Sequence, residues 1–76
     1  MAEHPRTALN NWSARTGKNI FYQEQRFGPQ HAEVWIVKVY VDGEQYGAGQ
    51  ATRKETAKEA AAIQAVNVLR NYGHQV

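Results

Sequence analysis

Apolar positions along this chain change period twice. Between Pro5 and Arg15, Ala8, Leu9 and Trp12 recur at spacings of three and four, the stripe of an amphipathic helix. Pro5 suits a first helical position, where its missing N–H has no partner to lose, and Gly17 suits the left-handed stop. Arg6, Asn10 and Asn11 lie off the stripe and are predicted to face solvent or a partner. The period then shortens to two. Ile20 to Phe27 is aromatic-rich and predicts a strand, broken by Gly28-Pro29, so that 28–32 is a loop. Glu33 to Val41 is the clearest strand, with Trp35, Val37, Val39 and Val41 on one face and Ile36, Lys38 and Tyr40 on the other, and Trp35 is expected to be buried between sheet and helices. Asp42-Gly43 is a strong hairpin signal, and Gln45 to Ala48 is the expected return strand. From Thr52 the helical period resumes, with Ala57, Ala61, Ala65, Val68, Leu69 and Tyr72 on one side. Thr52 and Glu55 have the spacing of a capping box, and Gly73 ends the helix.

The order helix, three strands, helix predicts an α+β domain. Its economical packing is a three-stranded antiparallel sheet with both helices on one face. Five alanines between positions 57 and 65 allow the second helix to lie close to that sheet. The domain is expected to span 5–72, with 1–4 and 73–76 as flexible ends and no internal repeat or linker.

Composition narrows the chemistry. Seventy-six residues hold one small core, and chains of this size bury only about 60% of their unfolded surface. A 42% hydrophobic content with two Trp, four Tyr and two Phe argues against disorder. The lack of cysteine excludes a disulfide framework, a thiolate zinc site and a Cys nucleophile. No paired carboxylates, nucleophile–base pair or metal-ligand spacing stands out, so neither enzymatic activity nor a metal or cofactor is expected. No apolar run is long enough to span a bilayer and no signal peptide is evident. An intracellular protein is expected, with nothing to choose between cytoplasm and nucleus.

The net charge of +2 is small, but its distribution is informative. Arg53, Lys54 and Lys58 fall within six residues. Lys54 and Lys58 are one turn apart and repel, and they sit at the positive end of the helix dipole. A phosphate at the helix start would reverse those penalties; a solvated basic patch is the plain alternative. The loop Gly28-Pro29-Gln30-His31 is stiffened by its proline and holds out an imidazole that can donate and accept. His31 has no second His at metal-ligand spacing, and an ordinary loop histidine is the competing reading. Asn is a mediocre helix former, so Asn10-Asn11 either is ordinary solvated surface or offers amides that match a ribose 2′-OH.

Taken in order, these features resemble the double-stranded RNA-binding domain family over roughly Pro5 to Tyr72. The resemblance is carried by Pro5 with Leu9-Asn10-Asn11, Gly28-Pro29-x-His31 and an aromatic at Trp35. It continues through Val39, Val41-Asp42-Gly43, Gly47-x-Gly49 and Lys54-x-x-Ala57-Lys58-x-x-Ala61. It implies the α-β-β-β-α fold and sequence-independent, non-enzymatic binding of A-form RNA across two successive minor grooves and the phosphates between them. By that resemblance, Asn10 and Asn11 enter one minor groove and Gly28, Pro29, Gln30 and His31 the next. Arg53, Lys54 and Lys58 straddle the intervening phosphates. Three positions depart from the usual pattern: Glu55 replaces a lysine, Asn11 stands where many members have Glu, and Ala51 where Gly is frequent. The alternative is a protein-interaction or dimerisation module on the same fold, with weak or no RNA binding. The implied partner is double-stranded RNA, with protein partners or self-association under the alternative. Neither a membrane nor a small-molecule substrate is expected, and a catalytic domain elsewhere in a larger parent chain is compatible with either function.

Overall fold

The computed structural model describes residues 4–76; residues 1–3, part of the end expected to be flexible, lie outside the described residues. Helix α1 spans Pro5–Thr16, and strands β1 (Ile20–Phe27), β2 (Val34–Val41) and β3 (Glu44–Ala51) lead into helix α2 (Lys54–Asn71). A single 3-10 turn, Gln30–Ala32, lies between β1 and β2. The strands form an antiparallel sheet in the order β1-β2-β3.

Local chemistry sets the boundaries. Helix α1 runs one residue past the expected Arg15 because the Thr16 hydroxyl donates to the Trp12 carbonyl at 2.8 Å. Gly17 then takes φ +76° and donates its N–H to the Ser13 carbonyl. Asp42 and Gly43 both adopt positive φ, 49° and 89°, the requirement of a type I′ hairpin. Strand β3 is longer than the expected Gln45 to Ala48, because β2 offers pairing partners from Trp35 through Val41. Cross-strand pairing there outweighs the poor strand propensity of Gly47 and Gly49.

The predicted capping box does not form. The N-cap of α2 is Arg53, in an extended conformation, with no side-chain cap bond. Thr52 therefore lies one residue outside the helix, and Glu55 is its second residue rather than its third. From that position Glu55 turns to Arg6 of α1, at 2.6 Å.

The core lies between the sheet and the two helices. Val37, Val39 and Val41 face Ala57, Ala61, Ala62, Ala65, Val66 and Leu69 of α2 and Leu9 and Trp12 of α1. Trp12 is the large buried aromatic, 1% exposed. Trp35, expected in the core, is only half-buried and packs at its margin. It occupies the last pairs of the sheet, opposite Arg26 and Ala51, where α2 is only beginning. The buried arc of α2 is also rotated from expectation. Val68 is half-buried and Tyr72 69% exposed, whereas Ala62 and Val66 are buried. At about 100° per residue, Ala62 and Val66 lie on the side of α2 that carries Glu55 and Glu59, and those two side chains meet Arg6 of α1.

Residues 73–76 run back over the C-terminal ends of both helices. The His74 N–H donates to the Leu69 carbonyl, and its ring meets Trp12 edge-on at 5.4 Å. Arg15 donates to the Gln75 carbonyl and Arg70 to that of Val76.

Two stability outcomes are expected. Trp12→Ala costs about 3–5 kcal/mol, the range for deleting a buried large aromatic, and Trp35→Ala costs clearly less because one flank already faces solvent. Gly49→Ala lowers stability by about 1–3 kcal/mol through overpacking, since a Cβ there would meet the Ala57 carbonyl and lie 2.5 Å from the Ala61 nitrogen. Urea melts of the three variants check both; Trp35→Ala being the most destabilised would contradict the assigned core.

Candidate nucleic-acid interface

Three elements carry the residues singled out by sequence. Asn10 and Asn11 are exposed on α1, Gly28 to His31 form the β1–β2 turn, and Arg53, Lys54 and Lys58 begin α2. The turn is tightly built. Gly28 has φ +87°, and a Cβ there would lie 2.7 Å from the Ala32 carbonyl oxygen. Pro29 accepts from the Ala32 N–H at 2.8 Å, which closes the 3-10 turn and leaves Gln30 and His31 exposed.

The lysines are less free than their sequence suggests. Positions 54, 58, 61, 65 and 69 form one continuous stripe at steps of four and three, so Lys54 and Lys58 head the stripe that becomes core further along. Lys58 is accordingly only 25% exposed and Lys54 43%. Their ammonium groups lie over rings, that of Lys54 5.9 Å from the Trp35 centroid and that of Lys58 5.4 Å from the Tyr22 centroid. Both ammonium groups meet one carboxylate, Glu24 of β1, at 3.7 Å for Lys54 and 3.3 Å for Lys58. The mutual repulsion of the lysines is thus offset inside the fold as well as being available to an external anion.

A second ion network lies on the α1 side of α2. Arg6 reaches Glu55 at 2.6 Å and Glu59 at 3.3 Å, and His4 reaches Glu59 at 3.0 Å. The hydrogen bond from Arg6 holds the Glu55 carboxyl below the usual carboxylate range, and the same bond raises the Arg6 guanidinium. Arg53 makes no ion pair among the described residues.

Between the networks is a cleft of about 310 Å3, lined by His4, Arg6, Thr7, Asn10, Tyr22 and Lys58. It brings Asn10 of α1 and Lys58 of α2 together. Tyr22 forms part of its wall with a buried hydroxyl that has no hydrogen-bond partner among the described residues, and burial raises its pKa. The β1–β2 turn is connected to the helix start through Trp35, since Arg26, two residues before Gly28, lies 5.8 Å from the same ring that Lys54 approaches. Asn11 is exposed on α1 and does not line the cleft.

Sequence reasoning missed Glu24 and Tyr22 as parts of this surface, and it placed Arg6 on the solvent or partner side of α1 without its acidic partners. One signal was present: Tyr22, Glu24 and Arg26 alternate on the helix-facing side of β1, so a carboxylate was due beneath the helical layer. Among the described residues no group of three or more His, Asp or Glu is placed to hold a metal ion, and no helix is long and apolar enough to cross a membrane.

Residues 5–69 match the family model described as double-stranded RNA binding motif. Among solved structures, the chain is similar to the first double-stranded RNA-binding domain of the protein HYL1. That similarity has a TM-score of 0.74 and 22% identity, and covers 84% of this chain and 93% of that one. It is also similar to the DRB4 segment containing both of that protein's domains and their linker, with a TM-score of 0.72 and 22% identity. There the match covers 92% of this chain and 46% of that one. The two likenesses agree with the α-β-β-β-α order and the three-stranded antiparallel sheet.

The Arg6–Glu55 pair has a defined pH signature. Its depressed folded-state pKa makes Glu55 contribute stability at pH above its unfolded pKa, and that contribution is lost as pH falls through the folded value. Wild type should therefore exceed Glu55→Gln in stability at neutral pH, and the difference should vanish in strong acid. Added salt should shrink it, because the pair is exposed. Urea melts of both proteins across the acid range are the check, and a difference independent of pH would contradict the pairing.

Proposed function

The chain belongs to the double-stranded RNA binding motif family, and from that membership we propose that it binds A-form RNA without sequence preference, through two successive minor grooves and the phosphates between them. The carrying observation is the meeting of Lys58 with Asn10 across one cleft, with Lys54 one turn before it. A cationic helix start beside an amide-bearing helix matches a backbone that alternates phosphate with 2′-OH. A-form RNA keeps its bases in a deep, narrow major groove, so shape and 2′-OH contacts are what side chains can read.

The roles follow from chemistry and position. Lys54, Lys58 and Arg53 contact phosphates across the major groove. Asn10 and Asn11 hydrogen-bond 2′-OH groups in one minor groove, and the Gly28–His31 turn enters the next. The rigidity of that turn favours binding, because little loop entropy is lost on contact. His31 and Gln30 supply its side-chain donors and acceptors. The interface is one of binding, with no chemical step.

One observation favours the second reading, a protein-interaction or dimerisation module. The sheet face opposite the helices carries exposed Phe21 and Phe27, with Phe21 beside Tyr40 at 6.3 Å. The two readings differ in salt response, since phosphate contacts release counterions and an apolar interface does not.

Titration of an RNA duplex of about 20 base pairs, which exceeds the ~16 base pairs such domains span, tests the proposal against a DNA duplex of the same sequence. The RNA should bind more tightly, with log K falling as log salt rises. Lys54→Ala and Lys58→Ala should each weaken binding and reduce the salt slope by about one contact. Absence of RNA binding, or binding insensitive to salt, would move the protein-interaction reading ahead.

A further inference from the structure

We propose that Glu24 is a built-in competitor for RNA phosphate, holding the two helix-start lysines in the free protein and setting how tightly and how salt-sensitively the domain engages a duplex. This inference rests on the RNA-binding function proposed above and assigns it an opposing residue.

The geometry is that of an anion shared between two cations. One carboxylate oxygen of Glu24 lies 3.7 Å from the Lys54 ammonium and the other 3.3 Å from that of Lys58. A phosphate bridging the same lysines would also present two oxygens to two ammonium groups. Glu24 is held there by the strand, because it follows Tyr22 on the helix-facing side of β1, opposite the buried Val37. The lysine ammonium groups lie over rings at the core margin, that of Lys54 over Trp35 and that of Lys58 over Tyr22, and the Lys58 side chain is only 25% exposed. Each partner is therefore positioned by the core margin, and the pairing does not depend on two freely moving surface chains meeting by chance.

A duplex phosphate arriving at this turn has two choices, and both are unfavourable relative to a site without the carboxylate. Sharing the ammonium groups brings a second anion close to Glu24. Displacing Glu24 breaks both pairs and leaves its charge facing RNA. The surrounding charges do not remove the conflict. Arg6, across the same cleft from Lys58, is engaged with Glu55 and Glu59, and Arg26 is engaged with Glu33 at 3.4 Å. Arg53 alone of the nearby cations makes no ion pair among the described residues, so it meets phosphate without a competing carboxylate.

The test is a titration of the same ~20-base-pair RNA duplex at two salt concentrations, with melting curves to establish that each variant is folded. Glu24→Gln keeps the shape and removes the charge. It should bind roughly two- to fivefold more tightly at low salt, the scale of a partly exposed ion pair, and its salt slope should be steeper. Glu24→Asp keeps the charge on a shorter arm that cannot span both lysines, and should fall between wild type and Glu24→Gln. The gain should disappear when Glu24→Gln is placed in a Lys54→Ala/Lys58→Ala background. Wild type that binds while Glu24→Gln binds no better overturns the competitor role and leaves the RNA-binding function standing. A full gain persisting without the two lysines also overturns it, since the effect would then be general charge. Absence of duplex binding by wild type and Glu24→Gln alike overturns the RNA-binding function, and the competitor role with it.

Discussion

The close approach of α2 to β3 is the constraint on which the rest of this structure depends. Gly47 and Gly49 lie directly beneath Ala57, Ala61 and Ala65, so near that a Cβ on either glycine would overlap helix backbone. Small residues on both surfaces remove the usual layer of side chains between a helix and a sheet. Such a contact is specific because packed interiors have almost no free volume to absorb a shift. It fixes the height of the helix and its rotation about its own axis.

That rotation determines the candidate interface. With Ala57 and Ala61 turned down onto β3, the Lys54 and Lys58 side chains reach across to Glu24 and Tyr22 of β1. The adjacent flank turns Glu55 and Glu59 toward Arg6 of α1. Two charge networks thus descend from one packing contact. A helix that sat higher or rolled by one residue would separate Lys58 from Glu24 and from the cleft it lines with Asn10. The positive end of the helix dipole, occupied by cations against local preference, is compensated by a strand residue thirty positions away in sequence.

Much of the fold is legible in sequence because it depends on local rules. Alternation in Trp35 to Val41, Asp42-Gly43 between strands, Pro5 at a helix start and Gly17 at its end each act within a few residues of themselves, and the α-β-β-β-α order follows from placing them in succession. The candidate residues stand out for a related reason: Asn10-Asn11, the Gly28–His31 turn and the Lys54–Lys58 pair are short segments that each fit an ordinary surface or loop role taken singly and point to one family only by their order and spacing.

What sequence did not carry is partnership between distant residues. Thr52 and Glu55 have the spacing of a cap, but a helix starting one residue later removes the geometry, and the nearby Arg6 offers Glu55 a charged partner instead. Trp35 has the parity of a core residue, yet parity selects only a face of the sheet. Its place in the last pairs, at the edge of the helical layer, is what leaves one flank open. The elements, their order, the alternating faces of β2 and the segments bearing charge and amide groups follow from local backbone and side-chain preference, so they are readable along the chain. Packing between the elements is what makes Trp12 the buried aromatic, gives Glu55 to Arg6 and sets Glu24 between the two lysines. Those outcomes depend on the height and roll of one helix on one sheet, and that is set by glycine–alanine contacts between segments that no local pattern relates.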